Sequence, residues 1–413
     1  MSRTKKNALL ESLRPGGAMA SGIKLRSDRL LVSLARPDMV QEVRERYGRF
    51  VRDRVDPGAY ARDRSAKPFS RDVLEGAADL GLMGFMMPEA VGGEQRDWHH
   101  WALVLHELAY MSADTAFPML LAYCGTVTRL LYETHRPDLI DRYVLPMVKG
   151  RCIGGFAWSE GGDPFSLRTT LAKEGDAYVL CGSKSPLTNG LLADVALTFA
   201  RNVETGNVVG VLVERADQGV HVAPAPGRGL RAGGMAEWRF DQVTLPEERI
   251  FVHSDGDAFA QRFFNERRLE MCCWVLGRMR SLFERCVHDL SGGMRFRRLD
   301  PQEIDSAIGK MFMGLETSRL LLASVLERVD RGEYDWKWNP PLSVLKHHVI
   351  AQASELCGSI QYLAGGYAAI GSGPYERHIR DLESLKPIAG TMATLAVDLG
   401  GLVVDEMQQN RTQ

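Results

Sequence analysis

The chain has 413 residues, 45% of them hydrophobic, so it can bury a large core and is expected to form two or three packed units. Its 51 lysines and arginines are balanced by 52 aspartates and glutamates, and the net charge of -1 provides no overall field to hold a polyanion. The composition therefore argues against nucleic acid as a partner. No apolar run reaches the roughly 20 residues that a membrane-spanning helix needs, so no membrane segment is expected.

The seven cysteines form no CxxC pair and have no histidine at metal-ligand spacing. We interpret them as free thiols of a protein in a reducing compartment, which predicts a cytoplasmic location and no metal site. Residues 1–29 are basic and rich in small residues, and we predict a flexible tail there. An organelle presequence has a similar composition, and Met19 is an alternative start of the protein.

The pattern of apolar residues divides the rest of the chain into three parts. Residues 30–151 have helical periodicity, and the segment DVLEGAADLGLMGFMMPEA predicts a helix that continues to Pro88. Residues 152–252 consist of short apolar runs separated by Gly, Asp, Asn and Pro, which predict strands. Residues 253–413 return to long amphipathic stretches. This order predicts an α+β protein with an N-terminal helical domain, a central antiparallel β-barrel or sandwich, and a C-terminal four-helix bundle.

Four sequence blocks occur in an order that one family shares. The β unit contains FAWSEGGDPFS at Phe156–Ser166, SPLTNG at Ser185–Gly190 and GLRAGGMAEWRFDQVTLPEERI at Gly229–Ile250. The last helical unit contains IQYLAGGYAAIGSGPYERHIRDLESLKPIAGT, which ends at Thr391. Together these blocks resemble the motifs of the acyl-CoA dehydrogenase family. The resemblance implies FAD as cofactor and an acyl-CoA or an acyl-carrier-protein thioester as substrate.

The resemblance also implies which residues bind the cofactor, because all of them except Trp158 match a position of a family motif. They are Phe156, Trp158, Ser159, Thr188, Phe296, Gln361, Gly365, Gly366 and Thr391. Trp158 is included because it can shield a flavin or an acyl chain, and the alternative is a core tryptophan. Thr188 takes the place of a family threonine beside the flavin ring, whereas Pro186 replaces the tryptophan that packs on that ring.

A second departure concerns the FAD pyrophosphate. Gly293 stands where the family has an arginine that binds this group across the dimer. A nearby arginine can take over, because a phosphate accepts a guanidinium from several directions, and the alternative is a solvated basic turn. The available arginines are Arg295, Arg297 and Arg298.

The catalytic glutamate of the family has no counterpart at its usual position, which holds Ala389. A general base must lie within hydrogen-bond reach of the proton it removes, and alanine has no group that accepts a proton. Some family members carry the glutamate on a bundle helix before an arginine, so Glu266 is one candidate base and Glu270, four residues on, is a second. Both glutamates have an alternative interpretation as ion-paired groups. Arg268 matches the family arginine of this helix, which implies a contact with the substrate.

Three functions remain open at this point. The first is a FAD-dependent oxidoreductase on an acyl thioester with an atypical or relocated base. The second is a flavin-dependent monooxygenase on the same fold, which needs no such base. The third is a family member that has lost flavin chemistry. The resemblance further implies a homodimer or homotetramer, because a neighbouring chain completes the FAD site.

Overall fold

The computed structural model describes residues 37–162, 166–292, 299–336, 340–371 and 373–412. The predicted flexible tail at residues 1–29 lies outside these ranges. Along the chain, helices are followed by a sheet and then by helices again. This confirms the predicted α+β class and its order of parts.

The first part is helical. Its helices are α1 Pro37–Phe50, α2 Ala59–Ser65, α3 Arg71–Asp79, α4 Trp98–Met111, α5 Ala116–Tyr132, α6 Pro137–Leu139 and α7 Leu145–Val148, with π-helical turns at Val51–Val55 and Ile140–Val144. α4 and α5 are buried on nearly all sides, because their apolar residues are not restricted to one stripe. The side chain of Asp97 caps α4 by accepting a hydrogen bond from the backbone NH of His100 at 2.8 Å.

The end of α3 differs from the prediction. The helix ends at Asp79 and does not continue to Pro88. Gly81 has a φ of 81°, which belongs to the left-handed region, and a Cβ at this position would stand 1.8 Å from Oε1 of Glu94. A short 3-10 turn at Leu82–Gly84 follows. The predicted continuation is wrong because apolar spacing alone does not register a glycine turn of this kind.

The second part is one sheet of eight strands. They are β1 Gly154–Ala157, β2 Thr170–Glu174, β3 Ala177–Leu187, β4 Val195–Asn202, β5 Val208–Glu214, β6 Val220–Pro224, β7 Ala236–Pro246 and β8 Ile250–Val252. Most pairs are antiparallel as predicted, but β1 and β2 both run parallel to β4. They pair with successive stretches of β4, β1 with Val195–Thr198 and β2 with Arg201–Asn202. Apolar alternation does not encode this direction of pairing.

The last part contains α8 Gly256–Ser291, α9 Pro301–Asp330, α10 Pro340–Ala364, α11 Glu376–Glu383 and α12 Met392–Thr412. α8 is the central helix, and its residue Trp274 shares a core with Trp101 of α4 and Phe117 of α5, each at most 1% exposed. α12 is exposed along most of the length for which burial is described, and its residue Val397 is 72% exposed. Among the described helices, none combines the length and the apolar character needed to cross a bilayer.

Candidate functional site

The loop that follows β1 is hydrogen-bonded to the distant end of β3. The backbone NH of Ser185 donates to the carbonyl of Ser159 at 2.7 Å. The buried ammonium group of Lys184 donates to the carbonyl of Trp158 at 3.0 Å and to Oε1 of Glu160 at 2.6 Å. Burial lowers the pKa of Lys184 to about 8, although Glu160 opposes this shift. The first two sequence blocks therefore lie side by side.

The aromatic residues of the first block connect the sheet to the helices. Phe156 and Trp158 are 5% and 7% exposed. Phe156 stacks on Phe263 of α8 with ring centroids 3.6 Å apart and planes 3° apart, and Trp158 packs edge-on against Phe264. The hydroxyl of Tyr123 on α5 accepts from the backbone NH of Phe156 at 2.8 Å and donates to its carbonyl at 3.1 Å. One face of Phe156 is thus covered by α8.

Hydroxyl-bearing and small residues lie on the two segments that these hydrogen bonds join. Ser159 is exposed and Thr188 is half-buried. Apart from their chain neighbours, no described residue lies within 4 Å of the place where a Cβ on Gly161 or Gly162 would stand. Pro186 is exposed and follows a cis peptide bond. The site therefore has a buried aromatic floor, formed by Phe156 and Trp158, and an open polar edge, formed by Ser159 and Thr188.

The predicted cofactor residues of the last part lie at the end of α10 and beyond it. Gln361, Gly366 and Thr391 are exposed, and Gly365 has a φ of 57°. Within the described ranges, none of these four residues hydrogen-bonds Ser159 or Thr188. Phe296, Gly293 and the three neighbouring arginines lie outside the described residues.

Two cationic side chains, Arg268 and Lys346, donate hydrogen bonds to the backbone of the loop that contains Ala389. Ala389 has a φ of 55°, and its carbonyl accepts a hydrogen bond from Nε of Arg268 at 3.0 Å. The carbonyl of Gly390 accepts from Nζ of Lys346 on α10 at 2.7 Å. Burial lowers the pKa of Lys346 to about 8 and the pKa of Arg268 to about 10. Arg268 therefore lies next to the position of the missing glutamate.

The two candidate bases lie on another face of α8. Glu266 and Glu270 each stand two residues from Arg268, which corresponds to about 200° around a helix. Both are at most 1% exposed. They face α4 and α5, whereas Arg268 faces the Ala389 loop.

Both oxygens of each candidate base are occupied. Oε2 of Glu266 accepts from Nε of Arg129 at 3.1 Å, and its Oε1 accepts from Nε of Arg262 at 3.1 Å. The carboxylate of Glu270 accepts hydrogen bonds from three other side chains, and burial raises its pKa. These donors are Trp101 at 2.9 Å, Thr126 at 2.7 Å and Arg267 at 3.0 Å. The base assignment of Glu266 and Glu270 stays a prediction.

Several residues of this region were missed by the sequence analysis. Arg129 and Thr126 lie inside the apolar helix α5, and Lys346 lies inside α10. All three are buried polar groups, 9%, 0% and 0% exposed. The available signal was a polar residue within a segment predicted to be buried, because such a residue needs a partner there.

Comparison with known proteins agrees with this geometry. Three family models match, namely acyl-CoA dehydrogenase N-terminal domain at residues 37–151, middle domain at 155–243 and C-terminal domain at 254–399. The fold is that of acyl-CoA dehydrogenases. Because the matched residues make up most of the chain, the protein belongs to the acyl-CoA dehydrogenase family.

Individual relatives are distant but extend over most of the chain. The short/branched chain specific acyl-CoA dehydrogenase of Rattus norvegicus is 27% identical, covering 81% of this chain and 78% of its own. An acyl-CoA dehydrogenase of Bacillus subtilis is also 27% identical, covering 83% and 92%. A glutaryl-CoA dehydrogenase from Mycobacterium smegmatis, solved in complex with FADH2, has a TM-score of 0.79 at 22% identity and covers 91% and 96%.

Proposed function

We propose that this protein is a FAD-dependent oxidoreductase that acts on an acyl thioester. The observation that supports this best is the contact between the two blocks of the β unit, where Ser185 donates to Ser159 at 2.7 Å. In the family, the corresponding motifs lie along the flavin. The hydrogen bond between the two blocks brings the buried aromatic floor next to the polar edge.

The residues of the site fit the flavin ring in chemical terms. Trp158 supplies apolar surface, and Ser159 and Thr188 supply hydroxyl groups at the open edge for the polar rim of the ring. FAD supplies a two-electron acceptor for a hydride when it is bound. In this arrangement Thr188 orients the ring, and Phe156 stays under Phe263 as part of the floor.

The remaining predicted FAD residues belong to the other side of the cofactor. Gln361, Gly365 and Gly366 are proposed to meet FAD of a neighbouring subunit, which makes the protein a homodimer or homotetramer, and Thr391 is proposed to bind FAD as well. The exposure of Gln361 and Gly366 is consistent with such a contact.

The substrate is proposed to be a thioester of CoA or of an acyl carrier protein, with Arg268 at the acyl group. Glu266 and Glu270 remain the predicted bases, but each must release its present donors before it can accept a substrate proton. A cytoplasmic location agrees with the seven cysteines, which are all free thiols.

One observation favours a second candidate function. The oxygens of both glutamates are already engaged by donors from α4, α5 and α8, and Ala389 supplies no carboxylate. A family member without flavin chemistry would show the same arrangement, because it requires no base.

A visible absorption spectrum of the purified protein separates the two candidates. A flavin spectrum that is bleached anaerobically by an acyl thioester, without a nicotinamide cofactor, supports the oxidoreductase. A colourless protein that takes up no added FAD contradicts it. A flavin that is reduced only by an external reductase indicates the monooxygenase instead.

A further inference from the structure

Arg268 and Lys346 are buried cations that contact the Ala389 loop, and their hydrogen-bond acceptors are all neutral groups. Arg268 is 8% exposed and donates to the Ala389 carbonyl at 3.0 Å, to Oδ1 of Asn265 at 2.8 Å and to the hydroxyl of Ser343 at 3.3 Å. Within the described ranges, no carboxylate comes within ion-pair distance of this guanidinium. The adjacent Arg267, by contrast, pairs with a carboxylate at 3.0 Å.

Lys346 is the second cation. It is fully buried and donates to the carbonyls of Gly390 at 2.7 Å and Lys386 at 3.3 Å. The part of the chain that the structure describes places no carboxylate on this ammonium group either. Arg268 is close enough for its positive charge to disfavour the charged form of Lys346. Buried charges in proteins are normally paired with an opposite charge, and no described carboxylate forms an ion pair with either of these cations.

One edge of the Arg268 guanidinium is open toward the loop. Its Nε and Nη1 are engaged, but Nη2 makes no hydrogen bond to any described residue and lies 3.2 Å from the place where a Cβ on Gly390 would stand. Ala389 carries a single methyl group here. The acidic residue that acts electrostatically on Arg268 is Asp398, which is exposed on α12.

We propose that the free Nη2 edge of Arg268, with the positive charge of the buried Lys346 nearby, forms an anion site beside Ala389 that binds a carboxylate carried by the acyl group of the substrate. This proposal rests on the acyl-thioester part of the proposed function and narrows it to carboxyacyl thioesters. A carboxylate matches the planar donor edge of a guanidinium and completes the charge balance that this chain leaves open.

The test compares ligands that differ in this group. Isothermal titration of the protein as purified is carried out with methylmalonyl-CoA, succinyl-CoA and glutaryl-CoA, which carry the carboxylate at increasing distance from the thioester, and with butyryl-CoA. At least one carboxyacyl thioester is expected to bind about 10-fold or more tightly than butyryl-CoA, as for a hydrogen bond to a buried charged group. Inorganic phosphate in the same titration shows whether any anion suffices, and displacement of the thioester by phosphate alone would overturn the carboxylate assignment.

Three variants make the test specific. Ala389→Glu places a carboxylate from the chain itself at the site and is expected to abolish the preference over butyryl-CoA. Ala393→Glu adds the same charge at an exposed position four residues away and is expected to keep the preference. Arg268→Gln is a second loss variant, and thermal unfolding of each variant checks that it is folded.

The outcomes distinguish this proposal from the function on which it rests. Equal binding of all four thioesters, binding of none, or a preference that persists in both Ala389→Glu and Arg268→Gln overturns the anion site. Flavin bleaching by butyryl-CoA in that case leaves the proposed oxidoreductase intact. A colourless protein that still prefers a carboxyacyl thioester keeps the anion site and removes the flavin function.

Discussion

Glu270 is a buried carboxylate whose ion pair with Arg267 joins two groups that cannot be solvated. Glu270→Gln leaves Arg267 without its carboxylate, and breaking a buried pair in this way costs roughly 3–5 kcal/mol. We therefore expect a clear loss of unfolding free energy in urea. The matched control is Glu327→Gln, which removes an exposed pair with Arg331 and should cost less than about 1 kcal/mol.

The same variant tests the base assignment. If Glu270 removes the substrate proton, flavin reduction by an acyl thioester falls about 100-fold or more while stability is nearly unchanged. That combination would contradict the structural role given above. Glu266→Gln should be measured in parallel, because Arg129 and Arg262 bind its two oxygens.

Lys346 makes the stability of the folded protein depend on pH. Burial lowers its pKa from 10.5 to about 8, so between these values the folded chain binds fewer protons than the unfolded chain. Its contribution to stability therefore rises from pH 8 to pH 10.5, by roughly 1.4 kcal/mol per pH unit. From pH 8 to pH 10.5 the unfolding free energy of the native protein should therefore rise relative to that of Lys346→Met. Parallel curves would contradict the lowered pKa.

At the scale of elements, Glu107 connects α4 to α1 and α8 through Arg44 and Arg280. Burial opposes the ionisation of Glu107, but its hydrogen bond to His106 and the charges of Arg44 and Arg280 lower its pKa from 4.5 to about 2. The stability that results is present above pH 4.5 and is lost as the pH falls to 2.

Glu107→Gln should therefore flatten the acid limb of the stability curve, by on the order of 3 kcal/mol between these pH values. Acid unfolding followed by circular dichroism checks this. A variant as acid-sensitive as the native protein would show that Glu107 does not carry the effect.

The elements also show how far the sequence predicts the structure. The strands β3, β4, β5 and β7 follow runs that alternate or are continuously apolar, and the helices α8 to α10 follow helical periodicity, so these were predictable. The parallel pairing of β1 and β2 with β4 was not, because the direction of a strand partner leaves no trace in alternation. Glu266 is ion-paired with Arg129 of α5, and the local spacing of residues does not predict a pair between segments that are distant in sequence.

At the scale of the whole molecule, exposed apolar side chains on α9 indicate a surface for a second chain. Met313 and Leu320 are 60% and 54% exposed and lie seven residues apart, on one face of the helix. We expect light scattering to give two or four times the chain mass, and Leu320→Glu to shift the protein toward smaller species. Val203→Glu is the control, because Val203 is 59% exposed in the β part. A native monomer would contradict the proposed oligomer.

The proposed function is tested most directly by anaerobic titration of the purified protein, followed in the visible spectrum. The account predicts a flavin absorption band that decreases on addition of an acyl thioester without any nicotinamide cofactor. A protein that remains colourless after incubation with FAD would contradict it.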